Sequence, residues 1–481
     1  MTGPDAAHAV APRDGAERAA SAVAPRAVRF LRDWLTRVSY SSLYPLVTGG
    51  ELVARSAERA ASSLARLTGL APEERAALTL FALGGELDPG TALGTAGGAV
   101  APLLESGLLV GGEGGPLATR GFVVVPVLGG LLATGMPPGS RRSRAAADRT
   151  GDPEGIGASA YLGPDSLRLA ATLPDARHRR VLDLGTGSGI QGLLAVRDPA
   201  EVVATDVDER SLELAATNVL LNETPHPVRV VRSDCYDALD GERFDLVVAL
   251  PPYVPSVEGS SLRSTVSAGR DGLDVVRRVL AGAREHLTGD GSLVVRCQLL
   301  AADDGPLLVR ELDGLTRGCD VRVVLGAPHP LQPYAAELAA SISAERSIGD
   351  YASLYASFLC SLRSLGATGV SSATIEATAV RGPGTVRVVA PRAGVGRPHA
   401  SRGLVLELDA ASRVARSDRV APVLLDGPSA ALLAAVDGQR DVEQLVAQAW
   451  GTVPEESRRD VLDQARSRLS QLATLGLVEP G

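Results

Sequence analysis

Five apolar segments that alternate with helical patterns constrain the fold of this chain most strongly. They lie between residues 180 and 297 and read RVLDLG, EVVATD, VRVVRSD, FDLVVAL and GSLVVRC. Strands that are apolar throughout are buried on both faces, and the helical segments between them would cover those faces. We therefore predict an α/β fold with a parallel sheet, completed further along by DVRVVLG, SATIEATAV and TVRVVA, as far as Val389.

With 481 residues the chain is too long for one ordinary domain, and its composition changes along its length. Helical patterns followed by a predicted strand pair in PLATRGFVVVPV favour a winged-helix-like unit near the N-terminus, and Pro-, Gly- and Arg-rich stretches indicate linkers. The predicted units are a disordered tail (1–27), an N-terminal helical, winged-helix-like domain (28–135), a linker (136–157), the α/β domain (158–390), a second linker (391–402) and a C-terminal winged-helix-like domain (403–481).

Composition excludes several classes of function. The sequence contains no lysine, so neither a Schiff-base lysine nor a P-loop lysine is available. A net charge of -8 argues against tight nonspecific nucleic-acid binding, and we predict no DNA partner. The four cysteines are widely spaced without a CxxC pair, which predicts free thiols and no metal site. Without a secretory signal or a bilayer-length apolar run, we predict a cytoplasmic protein with no membrane partner.

A glycine-rich turn follows the first strand of the predicted sheet, in VLDLGTGSGIQGLLA. Asp183 stands near the strand end, and Gly185, Gly187 and Gly189 follow it. Glycines let a ligand approach the backbone closely, and the N-terminus of the next helix offers free N–H groups. Domains that bind NAD or FAD use related turns, so the turn alone does not select the ligand. Asp183 could also serve only to cap the loop.

Acidic residues follow the next two strands. Asp206 ends the second strand, where a carboxylate can accept from both hydroxyls of a ribose or cap the helix of DERSLELAA. The third strand is followed by Asp234 and Cys235. An acid there can accept from an adenine amino group, or it can be a turn residue. The fourth strand ends in Leu250, Pro251, Pro252 and Tyr253, a corner that could simply stop the strand because proline cannot continue a central ladder.

Together these motifs resemble the Rossmann-like class I S-adenosylmethionine (SAM) methyltransferases. The similarity is greatest to the HemK-type glutamine and small-domain RNA guanine methyltransferases, whose fourth strand ends in (Asn/Asp)-Pro-Pro-(Tyr/Phe). It spans about Tyr161 to Cys297 and includes YLGPDSLRLA and AGRDGLDVV. The resemblance implies SAM as cofactor. The implied contacts are the methionine part (Asp183, Gly185, Thr186, Gly187, Gly189), the ribose (Asp206), the adenine side (Asp234, Cys235), the covering segment (Tyr161, which could instead only pack) and the methyl-transfer site (Leu250, Pro251, Pro252, Tyr253).

Leu250 departs from the pattern of that branch, which has a polar residue before the two prolines. A leucine cannot accept a hydrogen bond, and leaving one N–H of a buried amide without a partner costs about 1–3 kcal/mol. The sequence therefore favours an acceptor other than a glutamine amide or a base amino group. An O-, S- or C-nucleophile, a carboxylate, an amine held by another residue, and a noncatalytic SAM-binding protein all remain open.

The C-terminal segment is similar to PqqD-like winged helices, which bind the leader of a precursor peptide in natural-product pathways. The matching residues are Asp437-Gly438, the helix DVEQLV and the closing LGLVEP. A generic winged helix is equally compatible with them. The resemblance implies a peptide, protein or natural-product methyl acceptor, with a possible precursor peptide at the C-terminal domain. The alternatives are N-methylation of a glutamine amide or an RNA base.

Overall fold

The computed structural model describes residues 24–48, 69–88, 100–111, 115–135, 160–174, 179–257, 268–343 and 348–389. It also describes shorter stretches between 399 and 479, including 440–450, and residues 62, 64, 65 and 90. The linker predicted at 136–157 and most of the tail predicted at 1–27 lie outside these residues. The linker predicted at 391–402 and much of the C-terminal domain predicted at 403–481 also lie outside them. The domain boundaries stay predictions.

The strands follow the predicted alternation through the centre of the chain. In order they are β1 (Leu109–Val110), β2 (Ala118–Thr119), β3 (Phe122–Val127), β4 (Gly130–Gly135), β5 (Arg180–Leu184), β6 (Glu201–Asp206), β7 (Val228–Arg232), β8 (Phe244–Ala249), β9 (Leu287–Ala302), β10 (Gly305–Pro306), β11 (Cys319–Pro330), β12 (Gly369–Ala379), β13 (Val386–Val389), β14 (His399–Ala400), β15 (Leu406–Asp409), β16 (Val414–Ser417), β17 (Val423–Leu424) and β18 (Val478–Glu479).

The helices lie between these strands and in the N-terminal part. They are α1 (Pro25–Arg37), α2 (Tyr40–Thr48), α3 (Pro72–Ala77), α4 (Val100–Glu105), α5 (Pro164–Thr172), α6 (Glu209–Asn222), α7 (Asp274–His286), α8 (Val309–Leu315), α9 (Leu331–Ser343), α10 (Ile348–Ser364) and α11 (Val442–Trp450). Two π-helical turns, Leu78–Ala82 and Ile190–Ala195, follow α3 and the glycine-rich turn. Within the described ranges, no helix has both the length and the apolar character needed to cross a bilayer.

One large sheet forms the centre of the molecule, in the order β7-β6-β5-β8-β9-β12-β11-β13, and β10 pairs with the far end of β9. The strands from β7 to β9 are parallel, as predicted, whereas β12 runs antiparallel to both β9 and β11. This arrangement is a Rossmann-like α/β fold with one reversed strand. The helical hairpin α9–α10 lies in the connection between β11 and β12, and the sequence pattern predicted only its second helix.

Both faces of the sheet are covered, as the all-apolar strands require. On one face, Val276 and Leu280 of α7 belong to the same buried cluster as Val247 of β8. On the other face, Leu246 and Val248 of β8 pack in a cluster with Leu169 of α5. The alternation along β8 follows from the two-residue repeat of a strand, which sends successive side chains to opposite faces.

The N-terminal part forms two antiparallel ribbons, and its strands pair differently from the prediction. β1 pairs with β2, and β3 pairs with β4, so FVVVPV pairs with GLLATG and not with the PLAT segment before it. The described residues do not confirm a winged helix at either end of the chain. In the C-terminal part they show β15–β16–β17 as a three-stranded sheet, β14 paired with β18, and α11.

Two asparagines of α6 bind the N-terminal ribbon to the α/β unit. Asn218 accepts from the Ala133 N–H at 2.7 Å and donates from Nδ2 to the Ala133 and Ser188 carbonyls, each at 2.8 Å. One turn later, Asn222 forms the same pair of bonds with the Leu131 N–H and carbonyl. The spacing of four residues places both amides on one face of the helix. There they hydrogen-bond the backbone N–H and carbonyl groups of β4, as a neighbouring strand would.

Asn218→Ala should destabilise the protein by about 3 kcal/mol or more, because it leaves three backbone groups of a fully buried site without partners. Urea unfolding of both proteins measures this loss. Thr217→Val is the matched control, since among the described residues that buried hydroxyl bonds within its own helix, to the Glu213 carbonyl. An equal loss in both variants would contradict the role assigned to Asn218.

Candidate functional site

The strand order reverses between β5 and β8. From β5 the chain proceeds outward to β6 and β7, and then returns to β8 on the other side of β5. In open α/β sheets the crevice at the carboxyl ends of the strands beside such a reversal is the usual ligand site. The glycine-rich turn, Asp206 and the Pro-Pro-Tyr corner all follow strands at this edge, so the structure brings the predicted motifs together.

The glycine-rich turn adopts backbone conformations that favour glycine. The φ angles of Gly185, Gly187 and Gly189 are 71°, 54° and 86°, all in the left-handed region. The turn bonds back to the tip of the second strand, where the Thr186 N–H donates to the Thr205 carbonyl at 2.7 Å. A Cβ added at Gly185 would meet no atom within 4 Å, so this side of the turn is open.

Asp183 is buried beneath the turn and braces it. Its Oδ2 accepts from the Thr186 hydroxyl at 2.7 Å and from the Gly192 N–H at 2.9 Å. Burial raises the pKa of Asp183 to about 6, although these two hydrogen bonds oppose the shift. The structure therefore shows the loop-capping role that the sequence left open. The contact of Asp183 with a methionine group stays a prediction.

Asp206 lies at the tip of β6, where both carboxylate oxygens bind backbone. Oδ2 accepts from the Gly187 N–H and Oδ1 from the Asp208 N–H, each at 3.0 Å. Each oxygen of a carboxylate can accept two hydrogen bonds, which leaves capacity for ligand hydroxyls. The alternative role of Asp206 as helix cap is wrong, because Asp208 is the N-cap of α6 and accepts from the Arg210 N–H.

The third strand tip presents Asp234 and Cys235 differently from each other. Asp234 is half exposed, and its Oδ1 accepts from Arg278 of α7 at 2.9 Å. Cys235 has a φ of 52°, and its side chain is partly buried. Burial raises the pKa of the Cys235 thiol to about 11, so the thiol is protonated at neutral pH. The adenine contacts predicted for both residues stay predictions.

The segment before α5 lies beside the glycine-rich turn. Ala160 is 3.8 Å from the position that a Cβ on Gly187 would occupy, and Tyr161 forms an isolated bridge with Gly135 at the end of β4. The Thr134 hydroxyl donates to the Ala160 carbonyl at 2.6 Å. The N-terminal ribbon thus holds the covering segment over the turn, and Tyr161 in that segment is half-buried. The contact of Tyr161 with a cofactor stays a prediction.

The Pro-Pro-Tyr corner is held by the AGRDGLD segment that follows it. The Ala268 N–H donates to the Val254 carbonyl, and the Ser256 N–H donates to the Gly269 carbonyl at 2.9 Å. Gly272, at φ 79°, lies so close to the corner that a Cβ there would stand 2.2 Å from the Tyr253 carbonyl oxygen. These contacts give the corner a fixed shape. Leu250 packs with Leu246 and Val248 on the α5 face of the sheet.

Sequence reasoning missed Asp165 and Arg296 beside the corner and Val207 at the tip of β6. The Tyr253 hydroxyl bonds to Asp165 Oδ2, while Arg296 of β9 donates to Asp165 Oδ1 from Nε at 3.1 Å. Val207, directly after Asp206, is 56% exposed and so presents an apolar side chain at the tip of β6. Two signals could have found these residues. Arg296 interrupts an apolar strand, and Asp165 lies within the YLGPDSLRLA segment already singled out.

Asp183→Asn should remove a pH dependence from folding. The pKa of Asp183 is about 6 in the folded protein and 3.8 by its ordinary value, so the protonated carboxyl stabilises the folded state. This stabilisation is fully present below pH 3.8 and is lost as the pH rises through 6. Relative to Asp183→Asn, the wild type should lose about 2 kcal/mol of unfolding free energy between pH 4.5 and 7.5. Urea unfolding at both pH values measures this difference, and a constant difference would contradict the assigned pKa shift.

Known proteins resemble the central segment. Residues 154–302 match the family model described as "Methyltransferase small domain". A release factor glutamine methyltransferase from Xylella fastidiosa is 42% identical over 133 residues, which cover 26% of this chain and 48% of that protein. A ribosomal protein uL3 glutamine methyltransferase from Bradyrhizobium diazoefficiens is 41% identical over 125 residues, covering 24% of this chain and 39% of its own. The chain thus spans about half or less of the length of these relatives.

A solved methyltransferase from Pyrococcus furiosus aligns with 46% of this chain and 84% of its own, at 15% identity and a TM-score of 0.27. The family match covers the strand ends that carry the glycine-rich turn, Asp206 and the Pro-Pro-Tyr corner. The resemblance of the central segment to class I methyltransferases is confirmed, whereas the PqqD-like resemblance of the C-terminal segment stays a prediction. Residues 154–302 carry a class I methyltransferase small domain of the HemK-type branch.

Proposed function

We propose that this protein is a SAM-dependent methyltransferase that modifies a protein acceptor. The observation that carries the proposal is a single crevice at the carboxyl ends of β5 and β8. It is lined by the open glycine-rich turn, the Asp206 carboxylate and the rigid Pro-Pro-Tyr corner. The relatives are named for methylation of release factor and ribosomal protein glutamines, which favours a protein acceptor over a natural-product intermediate.

The residues around the turn fit SAM. The open side of Gly185 leaves space for a ligand against the backbone, and Asp206 keeps acceptor capacity for the two ribose hydroxyls. Val207 offers an exposed apolar surface next to that carboxylate, on which an adenine ring could pack. When bound, SAM supplies a methyl group activated by its sulfonium.

The corner would position the acceptor. Pro251 and Pro252 have fixed φ angles and hold the backbone carbonyls of the corner in one direction. Tyr253 presents a ring on which a planar acceptor can stack, and its contact with Gly272 keeps the backbone from moving. Alignment of the acceptor and exclusion of water are the contributions that the protein must make, and both depend on this rigidity.

Leu250 cannot accept a hydrogen bond from the acceptor, but a nearby hydroxyl could. Tyr334 of α9 is buried, and among the described residues its hydroxyl has no hydrogen-bond partner. Val254, the residue after Tyr253, packs against the buried cluster that contains Tyr334. An unpaired buried hydroxyl is costly unless a ligand uses it. We assign Tyr334 as the polar contact to the acceptor.

A second candidate function is methylation of a glutamine amide, as the names of the relatives indicate. The first proposal leaves the acceptor atom open, whereas this candidate fixes it as the nitrogen of a glutamine side chain in a protein. The test is incubation with SAM labelled in its methyl group and either purified release factor, ribosomal protein uL3 or fractionated cell protein, followed by mass spectrometry of the labelled residue. Transfer to a protein supports the proposal. Binding of SAM without transfer to any fraction would instead indicate a noncatalytic binding protein.

Leu250→Asn separates the two acceptors. If the native acceptor is not an amide, the variant should gain amide methylation, because the introduced asparagine side chain can accept a hydrogen bond from the amide N–H. The rate of amide methylation should rise by about tenfold or more. The measurement is label transfer to release factor and uL3 by the variant and the wild type. Wild-type protein that already methylates glutamine would show that Leu250 does not exclude an amide. Leu246→Asn, on the same sheet face, is the control for a buried polar substitution.

A further inference from the structure

A network of three side chains joins the covering segment to the acceptor corner. Asp165 accepts from the Tyr253 hydroxyl through Oδ2 and from Arg296 through Oδ1, with Nε and Nη2 each at 3.1 Å. Arg296 also donates from Nη1 to Thr374 of β12 at 3.3 Å. Burial raises the pKa of Tyr253 well above its usual value, and the charge of Asp165 adds to the shift. The phenol therefore stays protonated and donates.

The network connects parts of the chain that are far apart in sequence. Asp165 is the second residue of α5, and the two residues before this helix, Leu162 and Gly163, end the segment that lies over the glycine-rich turn. Tyr253 lies 88 residues further along, and Arg296 lies on the neighbouring strand β9. The bond between the Tyr253 hydroxyl and the Asp165 carboxylate therefore links the start of α5 directly to the corner.

We propose that Asp165 is a positioning residue that latches the covering segment to Tyr253. Its carboxylate fixes the direction of the tyrosine ring and holds the start of α5 against the crevice, so that cofactor and acceptor are enclosed together. The proposal rests on the SAM-dependent function proposed above. Arg296, whose side chain is only 10% exposed, pairs with this carboxylate at 3.1 Å, and Arg168 of α5 lies 3.7 Å from the same oxygen.

The charge of the Asp165 carboxylate strengthens its hydrogen bond with Tyr253. A hydrogen bond to an ionised group is about twice as strong as one between neutral groups, and Asp165 has only 22% of its side chain exposed. The bond therefore restrains the covering segment, and losing the tyrosine hydroxyl should free it without disturbing the pair between Asp165 and Arg296. Tyr253→Phe is for this reason the cleanest variant.

The first measurement is hydrogen exchange of the full chain without ligand. Tyr253→Phe should speed exchange of the amides at residues 160–168 by about tenfold, as expected for loss of one charge-assisted hydrogen bond. Tyr236→Phe is the matched control, since that buried hydroxyl donates to the Val279 carbonyl on α7 at 3.0 Å. Unchanged exchange at residues 160–168 in Tyr253→Phe would overturn the latch, whatever the protein binds.

The second measurement is calorimetric titration with S-adenosylhomocysteine, the demethylated product of SAM. Tyr253→Phe and Asp165→Ala should each weaken binding by about tenfold, and the double variant should be no weaker than Asp165→Ala alone, because both changes break the same bond. Asp245→Ala is the matched control for the acid, since Asp245 accepts from the Arg180 N–H at the other end of β8.

The outcomes are distinct. Faster exchange together with unchanged affinity in Tyr253→Phe would overturn the positioning role while leaving the proposed function intact. Additive losses in the double variant would also contradict the latch. If Asp165→Ala fails to fold, Tyr253→Phe alone decides. A wild-type protein that does not bind S-adenosylhomocysteine at all would contradict the proposed function, and with it this inference.

Discussion

The parallel pairing of β5 with β6 on one side and β8 on the other is the constraint on which the site depends. It brings three strand ends to one edge, and the turn after β5 then bonds across to β6 through Thr186 and Gly187. Left-handed φ angles at the glycines make that crossing possible without strain. The buried Asp183 and the tip residue Asp206 then bind the turn by its side-chain and backbone donors, so the crevice has a fixed wall before any ligand enters.

The N-terminal part is hydrogen-bonded to the wall of this crevice. The amide of Asn218 bonds to the ribbon at Ala133 and to the glycine-rich turn at Ser188, so one side chain restrains both. A single buried cluster runs from Trp34 of α1 through Phe122 of β3 to Leu214 of α6. The N-terminal part is therefore packed against the side of the crevice that carries the glycine-rich turn.

Local signals in the sequence predicted most of the sheet and the site. The apolar segments became β5 to β9, and the glycines, Asp206 and Pro-Pro-Tyr met at one edge because parallel strands align their carboxyl ends. These features depend on neighbours within a few residues. The helix cap showed the limit of that reasoning. Asp206 and Asp208 are equally good caps by residue type, and the structure separates them, since Asp208 accepts from the Arg210 N–H at the start of α6 whereas Asp206 accepts from Gly187.

Features made by distant residues were not predictable. The bond from Tyr253 to Asp165 spans 88 residues, and the asparagine contacts with β4 span 85 and 91. FVVVPV could pair with the segment before it or with the segment after it. In the structure it forms β3 and pairs with β4, which follows it. In each case long-range contacts decided among several local possibilities.

The central claim is that the strand tips beside β5 hold an adenosyl ligand. Calorimetric titration of SAM into the wild type and an Asp206→Ala variant, with folding checked by circular dichroism, tests it most directly. We predict one SAM bound per chain and an affinity at least about tenfold lower for the variant, because a charged partner of the ribose hydroxyls is gone. No heat with the wild type, or equal affinity in a folded variant, would contradict the account.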